Sequence, residues 1–404
     1  MSRHNDSLVR YLSGCSLCAI ASALIAASFG ARSATHEPHS ALIDGVPEAR
    51  CLGVNTEPVA VPGYMYVGVS SCTGEGCHSE EKPTEQGGKM IGDESTIWSD
   101  HDPHHRGFDT LCDEDSDAIA VKLGMEEGEA PDSPRCLSCH ATYVPEPQRG
   151  ERFDMEIGVG CETCHGPGEK YLEPHATEGW TNEQRGKIGA EGLLKEYGLI
   201  DTTNLAGRAT MCVSCHLQID KDMLDAGHPA LQFEMYSYNY YIYNSNGDQI
   251  HWDDSKIPWI NAKLWAVGQA AALDGARRQV DQWKSRQWDT TAADALVTIY
   301  QAGTSIAKKH FGADTPAGLA GATYSADACK GAATDLAALA ATATTKVQRR
   351  NLGFGMTALG EAYFNATAGA VPDAFWAAST PATAGEDGPA WEKAIKDMAD
   401  LINK

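Results

Sequence analysis

The sequence predicts a mainly α-helical protein in two parts. A loop-rich segment with only short helices comes first, and an antiparallel bundle of four or five longer helices follows. Three observations carry this expectation. Four pairs of cysteines, each followed at once by histidine, fall between residues 72 and 216. The surrounding stretch, 64–255, is too rich in glycine, proline and charge to build a core from ordinary side chains. From about residue 260 the chain turns alanine-rich, and apolar residues recur at three and four, as in Leu296, Ile299 and Tyr300.

Residues 1–33 read as an export signal. Arg3 and Arg10 give a positive start, 15–27 is an uncharged and mostly apolar run, and small residues at 31–33 offer a cleavage site. The run is too short for a stable membrane span. Leu12 to Cys15 resembles a lipoprotein cleavage box but precedes the apolar run instead of ending it, which argues against lipidation. No second run of spanning length follows, so a soluble periplasmic or secreted protein is expected. Cleavage removes three arginines and one aspartate, a net +2, and moves the formal charge from -23 to -25. Such a surface repels nucleic acid and anionic lipid and favours partners with basic docking faces, although it also serves plain solubility. Residues 34–62, with Pro38, Pro47, Pro58 and Pro62, read as an extended lead-in.

Three of the cysteine runs have two residues between the sulfurs: Cys136, Cys139 and His140; Cys161, Cys164 and His165; Cys212, Cys215 and His216. This is the spacing of covalent c-type haem attachment. Two thiols add across the two vinyl groups of the porphyrin, and the next imidazole is held beneath the iron. The fourth run, Cys72, Cys77 and His78, has four intervening residues, among which Gly74 and Gly76 let the longer loop fold tightly. Zinc would need four ligands converging at each site, and a redox dithiol would not need a histidine after every second cysteine. Four haem c groups are therefore expected, with His78, His140, His165 and His216 as proximal ligands. The discs themselves would supply the core of residues 63–258. The short gap between Cys136 and Cys161 makes those two haems expected neighbours.

The run from Gly158 through Cys161, Cys164 and His165 to Gly168, followed by His175, is similar to the third haem site of the tetrahaem cytochrome c-554 family. The stretch from Ile97 and Trp98 through His104 to Leu111 resembles the same family, and the resemblance extends over residues 64–216. It implies that His175 caps the haem on His78 and that His104 caps the haem on His165, with His105 as the fallback and His101 as a neighbour. His228 and His251 resemble segments of larger multihaem relatives. They are expected to be the sixth ligands of the haems on His140 and His216, in either order. In the family the second haem resembles a five-coordinate site, which leaves the haem on His140 as a place that could be open.

The aromatic run 235–243 is expected to pack against porphyrin faces. Beyond it, residues 259–404 form the second part, with helices expected at 262–286, 291–311, 326–349 and 390–403 and a further one at 353–364. Gly312, Pro316, Gly318, Pro372, Pro381 and Pro389 are expected to mark loops. His310 stands alone there, so this part reads as a scaffold or a self-association surface. Of the remaining cysteines, Cys51, Cys112 and Cys329 are odd in number, so at most one internal pair can form.

Electron transfer through mostly bis-histidine haems, between a redox enzyme and another carrier, is the function this pattern predicts. One alternative is a haem enzyme that reduces nitric oxide, nitrite or hydroxylamine at an open haem on His140. No lysine-ligated C-x-x-C-K run supports it. Another is a subunit of a haem filament, with His36 or His39 ligating between copies.

Overall fold

Several of the helices begin where a side chain accepts from one of their first amide groups. In a computed structural model, which describes residues 42–43, 46–47, 61, 63–74, 77–80, 84–86, 89–177, 179–241, 251, 254 and 256–404, the chain is mainly helical. The only strands among the described residues are two short antiparallel pairs, β1 (Leu42–Ile43) with β2 (Val46–Pro47) and β3 (Thr84–Gln86) with β4 (Lys89–Ile91). The export signal, most of the lead-in, Cys51, His36, His39, Trp252 and the end of the aromatic run lie outside the described residues.

The first half carries short helices: α1 (Glu94–Asp100), α2 (Glu114–Lys122), α3 (Pro134–His140), α4 (Cys161–His165) and α5 (Asn182–Gly192). Three more follow: α6 (Leu205–His216), α7 (Lys221–Ala226) and α8 (Met235–Tyr241). Loops joined by single capping contacts link them. The Asp113 carboxylate accepts from Ser116 N at the start of α2, and the Asn204 carbonyl accepts from Ala206 N and Gly207 N at the start of α6.

The second half holds the long helices: α9 (Ile260–Ser285), α10 (Thr291–Phe311), α11 (Pro316–Gly321), α12 (Ala326–Ala338), α13 (Lys346–Thr367), α14 (Asp373–Ala384) and α15 (Pro389–Asn403). Alanine and glycine let them pack closely. A Cβ on Gly353 would come within 2.2 Å of the Ala382 carbonyl oxygen, and one on Gly360 within 2.1 Å of the Phe375 ring. Only hydrogen fits at either place.

One apolar core runs through both halves. Leu205, Ala209, Val213 and Leu217 from α6 and the turn after it share it with Trp265, Leu273, Tyr300, Met356 and Ile395. It crosses the expected boundary between 258 and 259. Gly275 on α9 is the closest approach, since a Cβ there would meet Val213 Cγ1 at 2.2 Å. The fully buried face of α6 is thus built into the C-terminal helices, while its last turn carries Cys212, Cys215 and His216.

Several local expectations differ from the structure. The single helix expected over 326–349 is two helices, because Leu339 to Thr345 leaves the helical path and Thr345 with Gln348 forms a capping box that starts α13. Residues 353–364 are the interior of that helix. Pro381 does not mark a loop: it lies inside α14, held there by Phe375 and Ala382, both fully buried, and by a hydroxyl contact of 2.8 Å between Ser379 and Thr357. Pro316 opens a short helix instead of ending one, occupying the first turn where its missing N–H costs nothing.

Candidate haem-binding site

Each two-residue spacer is one turn of helix. Cysteines three apart lie on one face, and the histidine that follows lies one turn beyond the first of them. In α3, α4 and α6 the final residue is this histidine. Glycine makes the ends possible for α4. Gly166 follows it at φ 77°, and a Cβ there would lie 2.2 Å from the Gly198 carbonyl oxygen. The four-residue spacer takes another path: a 3-10 turn over Val69–Ser71 leads into Cys72, and Cys77 N donates to the Gly74 carbonyl at 3.0 Å. Glu75 and Gly76 lie outside the described residues.

The eight candidate histidines occur as four pairs, each joining one histidine of a cysteine run to one from elsewhere in the chain. Ring centroids are 6.0 Å apart for His78 and His175, 6.3 Å for His140 and His228, 6.4 Å for His165 and His251, and 5.7 Å for His216 and His104. An iron bonded to an imidazole nitrogen on each side, at the usual metal–nitrogen distance of about 2.0 Å, sets ring centres about 6 Å apart. The spacings are compatible with a bis-histidine iron, the closest pair needing a slight parting. Ring planes range from nearly parallel, 5° for His78 and His175, to nearly perpendicular, 80° for His140 and His228.

The pairing differs from the expected one at two places. His104 lies against His216, not His165, and His251 lies beside His165. The backbone explains the difference. The His104 carbonyl accepts from Val159 N at 3.0 Å, two residues before Cys161, so its main chain borders the third run. Its ring points the other way, to the fourth. His228 faces His140, and His175 faces His78. The fallback, His105, is tied back to the Asp102 carbonyl at 2.6 Å and packs edge-on against Trp98.

The other ring nitrogen is held in five of the eight. His78 Nδ1 donates to Glu94 Oε2 at 2.8 Å, His104 Nδ1 to Asp102 Oδ1 at 2.9 Å and His140 Nδ1 to the Gly107 carbonyl at 3.0 Å. His175 Nδ1 donates to the Tyr171 carbonyl and His228 Nδ1 to the Pro229 carbonyl, at 2.8 and 2.9 Å. Such bonds fix the tautomer and leave the Nε2 lone pair for a metal. None of these acceptors was evident from the sequence. Asp102 could have been found as the aspartate before Pro103 that caps the turn carrying His104.

Electrostatics divide the rings into two groups. Burial lowers His165 and His216 to about 4, helped for His165 by His251 and for His216 by His104. Burial also lowers His140 and His251. These four are neutral, ligand-ready imidazoles at physiological pH. The hydrogen bond to Glu94 raises His78, and at His104 burial pulls down but Asp102 outweighs it. Those two rings carry the most anionic partners.

Glu162, inside the third run, was also missed. It is 2% exposed, yet its carboxylate accepts from the N–H groups of Val67, Gly68 and Gly168, each at 2.7 Å. It clamps the chain ahead of Cys72 and the loop after His165 onto α4. Burial raises its carboxyl, and the three amides work against that.

The sulfurs of different runs also meet. The Cys72 thiol is hydrogen-bonded to Cys161, and Cys139 to Cys215; burial adds to the upward shift of Cys72 and Cys139. The expected neighbourhood of the second and third runs has its own contact, Thr142 to Thr163 at 2.7 Å between hydroxyls. Among the described residues no cluster of three or more His, Cys, Asp or Glu side chains converges as an ordinary metal site would need.

Cysteine turns that each present a histidine to a second imidazole are the arrangement that c-type haem attachment requires. Residues 72–166 match the family described as cytochrome c554 and c-prime, so this segment is similar to a c-type cytochrome, and a C-terminal helical region lies beyond the matched segment. No curated protein and no solved structure matches it. Among the described residues no helix is long and apolar enough to cross a membrane.

Proposed function

We propose that this chain is an exported electron carrier holding four haem c groups, each iron between two histidines: His78 and His175, His140 and His228, His165 and His251, His216 and His104. Thioether bonds run from Cys72 and Cys77, Cys136 and Cys139, Cys161 and Cys164, and Cys212 and Cys215. The observation that carries this reading is the occurrence of all eight histidines in four pairs at 5.7–6.4 Å. A six-coordinate haem supplies one-electron chemistry with little rearrangement, at a potential low for a cytochrome.

The residues of the chain supply the rest. Contact between Cys72 and Cys161, and between Cys139 and Cys215, supports two closely spaced haem pairs, the spacing an electron wire needs. The position of His228 beside His140 favours electron transfer over small-molecule reduction at an open iron. The acidic surface, formally -23 over the whole chain, suits redox partners with basic faces. We read 63–258 as the haem-bearing part and 259–404 as an antiparallel helical scaffold that fixes α6 and can support self-association.

Haem counting by pyridine haemochrome and electron paramagnetic resonance of the purified protein test this reading together. Four haems and only low-spin signals are expected. A count of three removes Cys72 and Cys77 from the attachment sites, and a high-spin fraction restores the enzyme alternative.

A further inference from the structure

A small cavity lies where the chain enters α8, between α10 and α13. Its walls include Phe233, Glu234, Tyr238, Tyr300, Arg350 and Asn351, and its volume of about 20 Å³ holds about one water. Glu234 is 6% exposed. Its Oε2 accepts from Ser237 N at 2.6 Å, but Oε1 has no hydrogen-bond partner, and neither do Arg350 Nε and Asn351 Nδ2. A buried carboxylate with one bare oxygen is an expensive arrangement unless the group takes up a proton or water.

The amides of Ser237 and Tyr236 and the Ser237 hydroxyl favour the charged form, but burial outweighs them. From α10, the Tyr300 hydroxyl is committed to the Phe233 backbone, accepting from N at 2.9 Å and donating to O at 3.0 Å. From α8, the Tyr238 hydroxyl donates to the Gln232 carbonyl and that of Tyr236 to Glu361, so neither is committed to Glu234. From α13, Arg350 lines the wall and lies over Phe354 without forming an ion pair with Glu234. Burial accordingly drives the carboxyl up to about 7. Tyr238 closes the path to the haem-binding region, because its ring packs on the imidazole of His216 at 4.9 Å between centroids.

We propose that Glu234 is a redox-linked proton site, which takes up one proton when the haem on His216 gains an electron and gives it back on oxidation. The inference rests on the proposed haem at His216. A haem held by His216 and His104 would supply the redox partner of this site, taking one electron from a donor protein. One proton from solvent, carried through the cavity water, forms the O–H bond on the Glu234 carboxylate. Nothing else is made or broken. The added negative charge is thus balanced inside the protein, and electron passage through this end of the wire becomes pH-dependent.

The test is spectropotentiometry of the haem-loaded wild type and Glu234→Gln between pH 5.5 and 8.5, with redox-difference infrared spectra of both. In the wild type one of the four potentials should fall as pH rises through neutrality, and a protonated-carboxyl stretch should appear on reduction. Both should vanish in Glu234→Gln while four haems and low-spin spectra are kept. A pH slope that survives in the variant, or a wild type with neither slope nor carboxyl band, overturns the proposal. If the variant does not fold, the wild-type infrared band alone decides. Failure of the haem reading is separate, since it would show as a haem count below four or as no haem at His216.

Discussion

The Nε2 atoms of His104 and His216 face each other at 3.4 Å, although 112 positions separate them in the chain. An iron between them would require roughly 4 Å, so only a slight parting of α6 from the turn carrying His104 is needed. If these two share an iron, they act on one haem and not two. Replacing His104 by Met should shift the potential and low-spin signal of a single centre. Adding His216→Met should act on that same centre, non-additively. His104→Met combined with His165→Met should instead perturb two centres, with effects that add. Haem-resolved potentiometry of the single and double variants distinguishes the outcomes.

Glu94 and Asp102 make two of the imidazoles unusually electron-rich, as seen in the raised proton affinity of His78 and His104. Glu94→Gln and Asp102→Asn should each weaken the preference for ferric iron and raise one potential. A tenfold loss of that preference corresponds to about 59 mV. Optical redox titration checks this, and an unchanged set of four potentials would refute it.

Glu162 satisfies three amides that no other side chain reaches. Glu162→Ala leaves them buried without an acceptor, which should cost about 3 kcal/mol or more. Glu162→Gln keeps an acceptor oxygen and should recover much of this. Chemical denaturation of the two variants, followed by far-ultraviolet circular dichroism, measures the difference.

Glu234 also ties stability to pH. Its carboxyl titrates at about 7 in the folded chain against 4.5 for the unperturbed group. The folded state therefore holds the proton more tightly. The stabilisation is full below pH 4.5 and is lost as pH rises towards 7, by about 3 kcal/mol. The difference between wild-type and Glu234→Gln unfolding free energies should follow that window and be flat above it.

The long helices were legible because their periodicity and caps are local. The expected 291–311 coincides with Thr291–Phe311, and 262–286 differs from Ile260–Ser285 by two residues at most. Pro381 misled because proline ends an exposed helix more readily than one anchored by buried residues such as Phe375, Ser379 and Ala382. The cysteine runs and the histidines likewise stand out by spacing. Which imidazole meets which is another matter, since it depends on the direction His104 takes after its carbonyl has bonded to Val159. Nor could a glutamate between two cysteines announce three amides folded onto it from positions up to 95 residues away.

Gly275 belongs to none of the four runs, yet it sets how deeply α9 seats against Val213, one position from Cys212. A methyl group there would lever the last attachment turn outward and tilt the ring that ends it. If the fourth run holds a haem as proposed, the electronic character of that centre depends partly on a hydrogen atom some sixty positions downstream. Descendants of this chain can retune that centre without altering anything that binds it.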